Sequence, residues 1–350
     1  MTRSPSRPKD KTPKAPEKRP TINDIARLAN VSKKTVSRVI NRSPSVSGET
    51  RARIEKVIDE LKFAPDPQAR GLAFRRSFLI GLIYDNPNPQ YVVNMQSGLL
   101  DGMRGSGFEL VVHPCDRASP SFLSDLGGFI QRQKLFGVVL TPSVSEDERA
   151  GALLKEIGCS YIRIASVELD DPEYMLVTHD RLGGRAAAMH LADLGHKSFA
   201  FISGPPTFRS SHERRMGYET ALAERGHKLP AKHVIEGQYR FKSGVAAGEK
   251  LFAMKNRPTA IFAANDEMAA GVLHAAREAG LSAPEDFSVV GFDDFELATS
   301  VWPPLTTVHT PTRDFGRVAA EKLIGIERKT PDVGLRLIVR QSSGPPPKAG

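Results

Sequence analysis

Cysteine is almost missing from this chain of 350 residues; only Cys115 and Cys159 are present. Two thiols that far apart build neither a disulfide framework nor a CxxC site, so both are expected to be reduced. Long apolar runs are missing too. No stretch approaches the ~18 uninterrupted apolar residues of a membrane-spanning helix. Met1 to Arg19 hold Pro, Lys, Arg and Ser with no apolar segment, so no secretion signal and no membrane partner are expected. The nine histidines show no ligand spacing, His190 and His196 being six apart, and no metal or other cofactor is expected. Also absent are G-x-x-x-x-G-K-[ST], G-x-S-x-G and H-E-x-x-H. The nearest glycine cluster, Gly102 to Gly107, does not fit G-x-G-x-x-G and follows a helical stretch. An enzyme is therefore not expected, and the expected location is the cytoplasm.

What the sequence does carry is a lopsided charge. The net charge is +9 at pH 7, yet residues 1–76 hold 19 Lys and Arg against 8 Asp and Glu, while the remainder holds 30 against 32. A basic module joined to a near-neutral body is the electrostatic footprint of a nucleic-acid binder, because affinity comes mainly from neutralising phosphates.

The texture of the chain suggests five segments. Residues 1–19 form a basic, Pro-rich tail expected to be disordered. Residues 20–64 read as a helical block and 65–76 as a linker with Pro65, Pro67 and Gly71. From residue 77 to 340, apolar runs alternate with amphipathic stretches. The runs are 78–84, 108–113, 136–142, 198–203, 259–265 and 287–294, rich in Val, Ile, Leu and Phe. Runs of this kind read as strands buried on both faces of a parallel sheet, with helices such as 183–194 and 268–279 between them. Residues 341–350 read as a loose tail.

Within the helical block, Thr21 and Asp24 form a variant of the capping box. Residues 29–32 make a tight turn in which Asn30 tolerates a left-handed backbone. Ser32 caps a second helix, Lys33 to Asn41, whose Val36, Val39 and Ile40 face inward. Lys33, Lys34, Ser37, Arg38 and Asn41 are left outside. Two short helices across such a turn match the helix-turn-helix, whose second helix enters the major groove. Arg38 has the geometry to bond guanine O6 and N7 together. Lys33 and Lys34 lie at the end that approaches base edges, while Thr35, Ser37 and Asn41 suit phosphates. A third helix begins after Ser47. In the linker, Asp66 and Pro67 open a helix of about eight residues, too short to be stable alone. Gly71 weakens it by about a further 1 kcal/mol. Leu72, with no core nearby, fits either a wedge between minor-groove base steps or packing on the neighbouring module.

The stretches 25–41, 46–54 and 65–73 together resemble the head of the LacI/GalR family of bacterial repressors. The resemblance continues in Leu194-Gly-His196, Phe201 to Pro205, Arg214 to Tyr218, Ala264-Asn-Asp266, Val290 to Asp294 and Pro303 to Thr307. Asn30 stands where that family usually has Gly. The resemblance implies an all-α head plus an α/β body like a type I periplasmic binding protein, with two doubly wound parallel-sheet subdomains and three crossovers. It implies a nucleoid-associated homodimer on near-palindromic operator DNA, with Thr21 and Ala69 among its DNA contacts. An effector is expected in the cleft, a sugar before a purine or nucleoside. Asn265, Arg214 and Asp293 match its effector-contacting positions, and Asp85 and Asn86 face the same cleft. Tyr239 falls near the stacking aromatic, with Phe241 as its alternative. The residues agree independently, because ligands of open α/β sheets bind beyond the carboxyl ends of strands. A stand-alone solute-binding protein and a non-specific nucleoid protein are the competing readings; each leaves either the head or the cleft without a role.

Overall fold

A computed structural model describes residues 20–40, 45–63, 77–326, 328 and 333–348. They fall into two units, divided after residue 76. Asn41 and the segment containing Ala69 and Leu72 lie outside the described residues.

The first unit holds α1 (Ile22–Leu28), α2 (Lys33–Ile40) and α3 (Gly48–Glu60). The Asp24 carboxylate accepts from the Thr21 N–H at 2.9 Å and from its hydroxyl at 2.7 Å. Asn30 turns the chain at φ 52°, and Ser32 Oγ accepts from the Thr35 N–H at 3.1 Å to start α2. Ser47 does the same for α3 through the Thr50 N–H. Ile25, Ala26, Ala29, Val36, Val39 and Ile54 are buried together. The core is small, so local caps carry an unusual share of its definition.

The second unit contains two sheets. The first is built from β1 (Leu79–Tyr84), β2 (Glu109–Pro114), β3 (Gly137–Leu140), β4 (Ser160–Ala165) and β5 (Met175–Val177), with α4 (Pro89–Met103), α5 (Phe122–Gln133) and α6 (Glu148–Glu156) between strands. Its order is β2-β1-β3-β4-β5, all parallel. The second uses β6 (Phe199–Ser203), β7 (Val234–Glu236), β8 (Ala260–Ala263), β9 (Ser288–Asp293), β10 (Thr306–His309) and β11 (Arg336–Ile338). Around it lie α7 (Asp180–Asp193), α8 (Arg209–Glu224), α9 (Phe241–Phe252), α10 (Asp266–Glu278) and α11 (Leu297–Ser300). The order β11-β10-β9-β8-β6-β7 is parallel except for β11. Each sheet reverses direction once, between β1 and β3 and between β6 and β8, which makes both doubly wound. The chain passes between subdomains three times: from β5 to α7, from β10 to α12 (Thr312–Ile324), and from α12 to β11. α12 returns to the first sheet and packs against α4.

Glycines let paired helices touch backbone to backbone. A Cβ on Gly184 of α7 would lie 2.0 Å from the Arg214 carbonyl oxygen, and one on Gly217 of α8 the same distance from that of Arg181. This approach is what brings side chains of α7 and α8 into register. Gly184→Ala is expected to lower the unfolding free energy by about 1–3 kcal/mol, as overpacking does. A denaturant midpoint equal to that of the wild type would show instead that the helices part freely.

The expectation of a loose tail at 341–350 does not hold for Ser342 to Gly344. Ser342 is buried, its carbonyl accepting from the Val289 N–H at 2.8 Å and its Oγ from the Thr306 N–H at 2.8 Å. Gly344 exchanges two bonds with the Ser288 side chain at 2.9 Å, and its carbonyl lies 3.0 Å from His196 Nε2. The segment satisfies polar groups at the starts of β9 and β10 that would otherwise be buried and unpaired. His196 is buried beneath this seam, with Nδ1 2.9 Å from Thr259 Oγ1. The Leu194-Gly-His196 motif thus has a structural job.

Candidate functional site

The strand ends of the two sheets face each other across a cleft of about 510 Å³, its open mouth included. From the first subdomain, Asn86 and Asn88 follow β1 and Pro142 follows β3. From the second come Arg214, Tyr239, Asn265 and Asp293. Thr178, Asp180 and Thr310, on two of the crossovers, complete its inner wall. Of the six residues anticipated here, five are brought together.

Asp85 is the one turned aside. It is not on the cavity wall; its carboxylate accepts from the Arg117 N–H at 3.4 Å and the Ser143 hydroxyl at 3.5 Å. Burial raises its pKa. The strand ends at Tyr84, and the next loop spends the carboxylate on its own geometry. Phe241, the alternative to Tyr239, is also away from the cavity, edge-on to His274.

A buried charge cluster forms the floor. Arg214 Nε donates to Asp180 at 2.7 Å and Nη1 to the Ala264 carbonyl at 2.5 Å, while Nη2 lies 3.8 Å from Asp293. The guanidinium also sits 3.6 Å from the centroid of the Phe292 ring, a cation–π arrangement. Asp180 takes a further bond from the Thr178 hydroxyl. Burial works against the Arg214 cation, but Asp180, with Asp293 also contributing, outweighs it and holds the charge firmly. Asp293 is the surplus group. Burial pushes its carboxyl up to about 7, against the pull of Arg214 and with a push from Asp180.

The walls are aromatic and strained. Tyr239 is buried at φ 55° and meets Phe208 edge-on, centroids 5.4 Å apart. Asn265 caps α10 through the Met268 N–H at 3.0 Å and donates to the Tyr239 carbonyl at 3.1 Å. One amide hydrogen of Asn265 is left for a ligand. Asp293 has φ 110°, a region that costs a non-glycine residue of order 1–3 kcal/mol. Its carbonyl accepts from the Thr310 N–H at 3.2 Å, and parallel pairing of β9 with β10 holds it. Thr310 Oγ1 is buried in the wall with no bond. Concave, aromatic-sided and fitted with fixed donors and acceptors, the cavity suits a small polyhydroxylated molecule.

Sequence reasoning missed Asp180, Phe208, Asn88, Tyr91, Ser210 and Thr310. Asn88 had a readable signal, since Asn before Pro89 caps α4. Asp180 had only its place before an amphipathic helix.

In the first unit, Lys33, Lys34 and Arg38 are exposed on α2, while Thr35 and Ser37 are half-buried. The Ser32 and Thr35 hydroxyls lie 2.9 Å apart at the helix start. Thr21 is exposed, with its hydroxyl engaged by Asp24.

Residues 21–66 match the profile of bacterial regulatory proteins of the lacI family, and residues 188–343 that of a periplasmic binding protein-like domain. Over 304 residues the chain is 33% identical to catabolite control protein A of Priestia megaterium, covering 87% of this chain and 91% of that one. The chain belongs to the lacI family. Among solved structures of this family, the lac repressor dimer bound to operator and the anti-inducer ONPF superposes with a TM-score of 0.77 at 27% identity. The transcriptional regulator CelR in complex with cellobiose gives 0.68 at 31%. In both cases 93% of this chain and 100% of the other are covered. The architecture expected from the motifs therefore holds in head and body, and the chain is a DNA-binding transcription regulator rather than an enzyme. Among the described residues, no helix is long and apolar enough to cross a membrane.

Proposed function

We propose that this regulator is a homodimeric repressor of a carbohydrate uptake or catabolism operon, set by a sugar or sugar derivative in the cleft. The observation that carries this is the buried Asp180–Arg214–Asp293 cluster beside Tyr239 and Phe208. Two carboxylates accept from ligand hydroxyls, and the rings offer a surface to the apolar face of a sugar. On this reading Arg214, Tyr239, Asn265 and Asp293 contact the effector from one subdomain and Asn86 from the other; Asp85 shapes the rim. Residues 20–64 form the operator-reading domain, with Lys33, Lys34 and Arg38 toward the groove and Thr21, Ser32, Thr35, Ser37 and Asn41 toward phosphates. Residues 65–76, with Ala69 and Leu72, act as the hinge, and the body extends to 348. Exposed apolar side chains favour a dimer: Val93 and Leu100 lie two turns apart on α4, and Trp302 is 83% exposed. The place of action is the cytoplasm, at the nucleoid.

The test is fluorescence anisotropy of the full chain on the DNA upstream of its own gene, with and without monosaccharides, disaccharides and nucleosides. A sugar-driven change in operator affinity is expected, in either direction. A response to nucleosides alone transfers the site to the runner-up, and equal binding to random DNA removes the reading. Arg38→Ala is expected to weaken specific binding by about 1–3 kcal/mol and to relax one base position. Unchanged base preference would exclude Arg38 as a base reader.

A further inference from the structure

Phe208 occupies the position before the first turn of α8, where Ser, Thr, Asp or Asn would normally cap the free N–H groups. It supplies no cap of its own. The acceptor arrives from the other subdomain. Glu146, following β3, accepts from the Arg209 N–H through Oε2 at 3.0 Å. Its Oε1 is held by Ser166, whose hydroxyl and N–H donate at 2.6 and 3.3 Å. Arg117, following β2, crosses the same gap and donates to the Thr207 carbonyl at 3.2 Å. The residues on either side of Phe208 are thus gripped from across the cleft. Thr207 and Arg209 are exposed, while Phe208 between them is buried, lines the cavity and packs edge-on to Tyr239.

We propose that Arg117 and Glu146 are positioning residues that clamp Thr207 and Arg209 across the cleft. By doing so they set Phe208 as the wall that fixes the width, and hence the ligand specificity, of the cavity. The aromatic wall is then complete only when the subdomains are together. A ligand that fits between Phe208 and Tyr239 favours the clamped arrangement, and one too thick for that gap competes with the clamp. A capping bond supplied by a different subdomain does this better than a local cap, because it is lost whenever the cleft opens.

This inference rests on the cavity being the effector site, but its test needs no ligand. Amide hydrogen exchange of the full chain, read on peptides covering 204–211, reports whether the Arg209 N–H is protected. Glu146→Ala is expected to speed exchange there by about tenfold or more, as a lost local bond does. Glu146→Gln, which keeps an acceptor, should restore most of the protection, and Arg117→Ala should give a smaller rise in the same peptides. Wild-type exchange at Arg209 in folded Glu146→Ala and Arg117→Ala overturns the clamp. If Glu146→Ala does not fold, Arg117→Ala decides: faster exchange confined to 204–211 supports the clamp, and wild-type exchange there refutes it. Failure of every sugar to bind leaves this result standing, so the two readings fail separately.

Discussion

Arg214→Met is expected to lower the stability of the body by about 3–5 kcal/mol, the usual loss when one partner of a buried ion pair is removed. Methionine keeps much of the volume, so the effect isolates charge. Without the guanidinium, Asp180 and Asp293 are both buried with no ion-pair partner among the described residues, and the Ala264 carbonyl loses its 2.5 Å donor. At least one carboxyl must then hold a proton to stay inside. A folded-state pKa raised above the unfolded value means a penalty absent in acid, growing as pH rises. The deficit relative to wild type should therefore be small near pH 4 and full by pH 8. Urea unfolding followed by circular dichroism at several pH values measures it, and a pH-independent deficit would mean that only packing was lost.

The opposite sign is expected at the third member of the cluster. Asp293 titrates near 7 in the folded chain against an ordinary 3.8, because burial outweighs the attraction of Arg214. Its proton is kept on folding and lost on unfolding between those values, so the wild type loses stability as pH rises from about 4 to 7 and stays penalised above. Asp293→Asn removes that penalty and leaves Asp180 and Arg214 as a neutral pair. The variant is expected to be more stable than the wild type at pH 8 by about 1–3 kcal/mol, below the roughly 4 kcal/mol that the full displacement represents, with the gain vanishing near pH 4. The same substitution should abolish the effector response, the exchange of function for stability common in binding sites. Lower stability of Asp293→Asn at pH 8 would show that the carboxylate is a net stabiliser through Arg214.

How much of this was legible depended on how local each cause was. The caps at Thr21, Ser32 and Ser47 act within one helical turn, and the three described helices of the head begin where those residues place them. Strands that are long apolar runs were readable for the same reason. β4 was hidden because Arg163 interrupts it, and the chain accommodates that cation by bonding Nε to the Ser145 carbonyl at 2.7 Å. β5 and β7 have three residues each and carry no period to detect. In the cleft, Arg214, Asn265 and Asp293 follow recognisable motifs or strand ends. Asp180 owes its role to a passage between subdomains and to the close approach of α7 and α8 at Gly184 and Gly217, neither visible in local sequence. Phe208 is a cavity wall because of residues about sixty and ninety positions earlier. Asp85 sat at the right strand end, yet loop geometry claimed it.

The threefold passage of the chain has a consequence for biosynthesis. On the ribosome the first sheet is complete once β5 emerges, yet its covering helix α12 is encoded almost 150 residues later, on the order of 10 s of elongation. The second sheet likewise waits for β11 and the Ser342–Gly344 seam. Neither half of the body can finish as an independent folding unit, so both close only after α12 and β11 have emerged. A nascent head emerges long before the body that regulates it, and newly made chains reach effector control only after α12, β11 and the Ser342–Gly344 seam have docked.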